Sequence, residues 1–198
     1  MKKFLCLAMY LLFSATLMAE QFLLDRLIVE ISGKSYSQKQ LEDYNLLRTI
    51  AMGDGPRQGL PSPEKWPEQV EQFKNDMIVY NQMENDQQKL DSFAPDSKKV
   101  QAAEKALVAA QVGDPDLDKF IRQRQLTEAE ISRILMVVFR VEGYTRNRLQ
   151  LSAVKTNEEN VFTRIDPKAD WFQALTKATA YRFYFQAKGY KVLAPFRS

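Results

Sequence analysis

The 198-residue chain has no histidine, and its one cysteine, Cys6, lies close to the N-terminus. Everything downstream of Cys6 therefore lacks the commonest general base, the commonest metal ligand and the thiol nucleophile. Neither a disulfide nor a thiolate metal site can form there, so the fold must rest on its core alone. Charge of one sign is missing as well, because 28 Lys and Arg face 25 Asp and Glu. Nucleic-acid binding would call for a strongly basic patch or stripe, and this near-balance offers none. Past Phe13 no stretch approaches the ~20 apolar residues that span a bilayer. The composition thus points away from nucleic acid, cofactor, metal and a membrane span, and towards a non-enzymatic protein.

What the chain does have begins with an export signal. Lys2 and Lys3 form a positive n-region, Phe4 to Phe13 an apolar segment, and Ser14 to Ala19 a run with a cut expected after Ala19. Removing residues 1–19 leaves 179 residues, the size of one domain, with a net charge of +1 because the signal carries two of the lysines. Lipidation would need the cysteine at the cut, and Cys6 is not there. The expected location is the periplasm.

Residues 20–198 read as a mostly helical α+β domain with β segments only near its two ends. Arg26 to Ile31 (RLIVEI) is a β-branched run that stops at a Ser32-Gly33 turn. Ser37 then caps a helix whose Leu41, Tyr44, Leu47 and Ile50 share a face. Gly53 to Pro67 holds three glycines and four prolines in fifteen residues and reads as a loop. The spacing of Val70, Phe73, Met77 and Tyr80 predicts a long helix from Glu68 to Leu90. Asp96 caps another, with Val100, Ala103 and Leu107 inward, and Asp114-Pro115 opens a short third one. Thr127 and Glu130 form a capping box for a helix running to about Leu151. Its middle, Ile134 to Phe139, is apolar on every side and so should be enclosed by other elements.

Ser152 to Pro167 reads as a polar connection, and Asp170 to Lys177 as a last short helix with Trp171 and Leu175 inward. Ala180 to Gln186 alternates like a strand, and a Lys188-Gly189 turn leads to Tyr190 to Leu193. A lone strand leaves backbone donors and acceptors unpaired, which is costly if they are buried. Arg26 to Ile31 is therefore expected to pair with the strand after Ala180, giving a helical lobe whose N- and C-terminal strands form a small antiparallel sheet.

Patterns that could carry chemistry are sparse. Ser62 to Lys65 and Ser152 to Lys155 match Ser-x-x-Lys, but one lies in the Pro-rich loop, the other in the polar connection, and neither has a partner motif. Asp114, Asp116 and Asp118 resemble the start of a calcium loop, yet Lys119 and Gln125 stand where glycine and a bidentate glutamate are needed. Acidic residues in a first helical turn explain those aspartates through the helix dipole. Gly53, Gly55 and Gly59 lack the Lys-Ser/Thr of a phosphate loop. No catalytic residue and no metal ligand is expected.

Soft and aromatic side chains remain. Met52, Leu60, Met77, Tyr80, Met83, Met136, Phe139 and Tyr144 are candidates for contacts with apolar partners, since adaptable side chains suit surfaces that accept many sequences. The competing reading is that each belongs to the core.

The order of segments resembles the SurA-type periplasmic chaperones. LLDRLIVEISGKSYSQKQLEDY, Leu23 to Tyr44, is similar to the opening of the mature family members, with Ser32 where the family usually has Asn. Val70 to Leu90 and Ala102 to Leu151, including DPDLDKFIRQRQLTEAEI, fit the family's helical series. DWFQALTKATAYRFYF, Asp170 to Phe185, resembles its closing helix and strand. Typical members insert parvulin-type prolyl isomerase domains where this chain has only a short linker, residues 151–167, so isomerase activity is not implied. The resemblance implies ATP-independent holding of unfolded polypeptides, outer-membrane protein precursors among them, in a groove between the helical lobe and the terminal strands. Gly53 to Pro67 would be its mobile rim. The alternative is a non-enzymatic adaptor that docks one folded envelope partner.

Overall fold

The computed structural model describes residues 25–151 and 165–184. The expected export signal, most of the Ser152 to Pro167 connection, and the expected Lys188-Gly189 turn with Tyr190 to Leu193 lie outside the described residues.

The chain enters through β1 (Leu27–Ile31) and β2 (Lys34–Ser37), joined at Ser32-Gly33. Both turn residues have positive φ, 52° and 79°, as a two-residue hairpin of right-handed twist requires. The sequence shows this turn, but β2 (KSYS) is too short and polar to announce itself; the turn geometry specifies it. β3 (Tyr181–Phe183) pairs antiparallel with the other edge of β1, placing Val29 opposite Phe183 and Ile31 opposite Tyr181 in the order β2-β1-β3. The Ser32 and Tyr184 amides extend the ladder by donating to Ala180 and Ile28 carbonyls, at 2.8 and 3.0 Å. The expected pairing of the two terminal strands is the one the fold has.

Helix α1 (Gln38–Ala51) starts at a reciprocal capping box between Ser37 and Gln40. Leu41, Tyr44, Leu46, Leu47 and Ile50 are all buried, so α1 is enclosed on more sides than its stripe suggests. After a 3₁₀ turn at Pro56–Gln58, the chain leans on α1 at Gly59, where a Cβ would lie 2.8 Å from the Leu46 Cα. α2 (Trp66–Glu84) begins with proline in its first turn. The predicted helix to Leu90 is in fact two, because Asp86 accepts the Lys89 amide proton and caps a separate α3 (Gln87–Ser92).

Asp96 caps α4 (Ser97–Gly113), and Asp114 caps α5 (Pro115–Arg124). The Thr127–Glu130 box opens α6 (Glu128–Leu151): the Thr127 amide donates to Glu130, and the Glu130 amide to the Thr127 hydroxyl. In α7 (Asp170–Ala178) the fully inward residue is Phe172, while Trp171 and Leu175 are half-buried at its flanks.

Two hydrophobic clusters result. One joins β1, the start of α1, α2, the C-terminal half of α6 and α7 around Trp66, Phe73 and Ile78. The other joins the end of α1, α4, α5 and the N-terminal half of α6 around Leu107, Leu117 and Phe120. α6 passes through both, which accounts for its apolar middle. Leu135, Val138 and Phe139 are enclosed as expected, whereas Met136 is 37% exposed.

Candidate functional site

The second cluster leaves an opening on its outer side. α4 sends Val100, Ala103 and Leu107 towards the core, but Val108 and Val112 fall off that stripe and are 59% and 88% exposed. Facing them across a gap are Ile121 of α5, Leu126 of the following turn and Ile131 of α6. The space between is a groove of about 710 Å³, within the range in which proteins bind ligands. Its walls are mainly aliphatic. Glu104 and Ser132, a hydrogen-bonded pair, line it as well, as do Lys105 and Glu128. Ala102, Ala106 and Ala109 continue the exposed apolar surface along α4. Large apolar side chains left open beside a concavity mark a surface that can accept an apolar partner.

A smaller cleft of about 270 Å³ lies between α2 and α7. It is more polar, with Lys74, Asn75, Gln173 and Thr176 beside Phe172. The Lys74 ammonium pairs with Glu71 and sits 5.0 Å from the Tyr181 ring centre and 5.9 Å from that of Phe183. These two rings lie on the same side of the sheet as Val29 and Ile31, and remain exposed beyond the helices.

Two clusters of buried charged groups join helices. Between α1 and α2, Asp76 accepts hydrogen bonds from Tyr44 at 3.0 Å and Gln72 at 2.7 Å and pairs with Arg48 at 3.1 Å. Burial pushes the Asp76 carboxyl above its ordinary value, against the opposing pull of Arg48, and pushes the Tyr44 phenol well up. Neither concavity includes any of these four residues, so their evident role is to join two helices. The second lies where α5 meets α1. There Arg124 pairs with Glu42 and lies 3.9 Å from Asp43, which is also held by Lys39 at 2.6 Å.

The eight candidates from the sequence are not brought together. Met77, Met83 and Tyr144 are buried in the first cluster, with Tyr80 packed against it; Phe139 is buried in the second, with Leu60 packed against it. Met52 is half-buried and accepts a hydrogen bond from Arg48. Met136 alone counts as exposed, at 37%, and none of the eight lines the groove. The helical stripes that carry these residues face the core, where Met77, Met83, Phe139 and Tyr144 are buried. No strand lines this larger groove, so it is not the groove expected between the helical lobe and the terminal strands. The Gly53 to Pro67 segment does not line it either; Arg57 there reaches Asp114 at 2.8 Å, and Trp66 is buried. The signal for this groove was legible in principle, as valines at 108 and 112 outside the inward stripe of α4.

Among the described residues no helix is long and apolar enough to cross a membrane, and no group of three or more acidic side chains could hold a metal ion. Compared with known proteins, the chain matches no family model, no curated protein and no solved structure.

Proposed function

We propose that the protein is a non-enzymatic, ATP-independent holder of unfolded polypeptides in the periplasm, outer-membrane protein precursors among its clients. The observation that supports this reading is the open aliphatic groove between α4, α5 and α6, with Val108 and Val112 exposed along it. Apolar burial is worth roughly 25 cal/mol per Å² and has no direction, so such a surface holds many sequences weakly and lets them go. The export signal and the resemblance of both chain ends to the SurA-type chaperones favour the same reading. The prolyl isomerase domain typical of that family is not part of the proposal, since the 151–167 linker is far too short to contain it.

The test is aggregation of a urea-diluted outer-membrane β-barrel protein in the presence of the exported chain, Glu20 to Ser198, with an inert protein as control. Suppression near stoichiometric ratios supports the holding function. No suppression by a folded sample, together with one stoichiometric partner in a pull-down, would favour the adaptor instead.

A further inference from the structure

The α5–α6 turn lines the groove through Leu126, and a charged side chain beside it reaches back to α1. α5 ends in a Schellman-type cap: the Gln125 amide donates to the Arg122 carbonyl at 3.1 Å and the Leu126 amide to the Ile121 carbonyl at 3.4 Å. Gln125 holds the left-handed conformation this cap needs, at φ 52°, where glycine is the usual residue. Next to it, Arg124 stacks on the Phe120 ring at 4.8 Å and reaches back into the buried Glu42 and Asp43 carboxylates of α1. The Gln38 amide donates to Glu42 at 2.6 Å, and Lys39 holds the far side of Asp43, so the acidic pair is itself fixed. Leu126, two residues beyond Arg124, is a wall of the groove, and Glu128 and Ile131 follow it.

We propose that Arg124 is a positioning residue for the groove: its grip on Glu42 and Asp43 sets how far the α5–α6 turn stands from α4, and loss of that grip widens the opening. This rests on the reading of the groove as the polypeptide site. The chemistry suits a clasp. A guanidinium can hold two carboxylates at once in a geometry that lysine cannot reproduce. Asp43 Oδ1 accepts no hydrogen bond among the described residues and lies 3.9 Å from Arg124, so that arm of the clasp is electrostatic rather than hydrogen-bonded.

The experiment places nitroxide labels on Gln123→Cys in α5 and Lys105→Cys in α4 of the exported chain, which has no cysteine of its own, and reads their separation by pulsed electron resonance. Both positions are exposed. Arg124→Gln is expected to lengthen and broaden the separation, and Arg124→Lys to restore it in part. Glu42→Gln combined with Asp43→Asn, which keeps shape and removes charge, should lengthen it as well. An unchanged separation in folded Arg124→Gln and in the double variant would overturn the proposal. Client affinity is measured in parallel by anisotropy of a labelled unfolded β-barrel segment. A wider groove with a severalfold change in affinity supports both readings. A wider groove with unchanged affinity supports the clasp and overturns the groove as the polypeptide site.

Discussion

The guanidinium of Arg48 and the carboxylate of Asp76 meet at 3.1 Å in the interface between α1 and α2, both largely removed from solvent. Tyr44 and Gln72 complete the shell of Asp76, so the charge is hydrogen-bonded as well as paired. Removing one partner of such a pair strands the other, at a cost of about 3–5 kcal/mol. Arg48→Met is therefore expected to lower stability to urea by that order. The double variant Arg48→Met with Asp76→Leu should lose clearly less than the sum of the single losses. Additive losses in urea titrations would show that the two residues act independently.

Asp43 makes stability depend on pH in an unusual direction. Burial pushes its carboxyl from 3.8 up to about 6, Lys39 pulls it down, and Glu130 and Asp25 add to the rise. A folded value above the unfolded one means that the native state holds the proton more tightly. The favourable contribution is complete below the unfolded value and is lost as pH rises through about 6. A shift of roughly two units corresponds to about 3 kcal/mol. Asp86, Asp114 and Glu130 work in the opposite sense, because their hydrogen bonds hold them below the ordinary carboxylate range and their contribution is lost only in stronger acid. The wild-type urea midpoint should rise between pH 7 and pH 5, and Asp43→Asn should flatten that rise. Parallel profiles for the two proteins would show that Asp43 does not titrate in this window.

The helix starts were legible because local chemistry dictates them. Ser37 with Gln40, Asp96, Asp114 with Pro115, and Thr127 with Glu130 all do at the N-termini what their side chains allow. The pairing of β1 with β3 was legible for a different reason, the need to satisfy two isolated strands, and Ile31 opposite Tyr181 answers it. What was not legible depends on tertiary choice. Nothing local in KSYS distinguishes β2 from a helix approach. Asn85 interrupts a stripe that could have continued, and the Asp86 cap that decides the break, though as local as the others, is masked by that periodicity. The groove escaped for the same reason, because periodicity names the side of α4 that faces inward and is silent on whether the other side is covered.

Gln125 offers a local test of the cap that ends α5. An L-residue in the left-handed region sits at a cost that glycine does not meet, about 1 kcal/mol. Gln125→Gly removes that strain and adds some freedom to the unfolded chain, so the expected gain is about 0.5–1 kcal/mol. Thermal unfolding reads it as a rise in Tm of a few degrees. A fall in Tm would mean that the Gln125 side chain contributes more than its backbone strain costs.

Val108 and Val112 separate function from stability. Both side chains are mostly in solvent, so replacing them should change stability by no more than about 0.5 kcal/mol. Ile121, buried on the opposite wall, is different: Ile121→Ala should cost about 2–4 kcal/mol through lost packing. If extended apolar polypeptide lies in the groove, a charge introduced there must be at least partly desolvated on binding. Val108→Glu with Val112→Glu is therefore expected to keep the wild-type melting curve while severalfold more protein is needed to suppress aggregation of an unfolded β-barrel client. Lys98→Glu with Lys99→Glu, exposed at the far end of the same helix, supplies the charge control. Equal suppression by wild type and the valine variant would move the client site away from α4, leaving the exposed rings of Tyr181 and Phe183 as the next surface to alter.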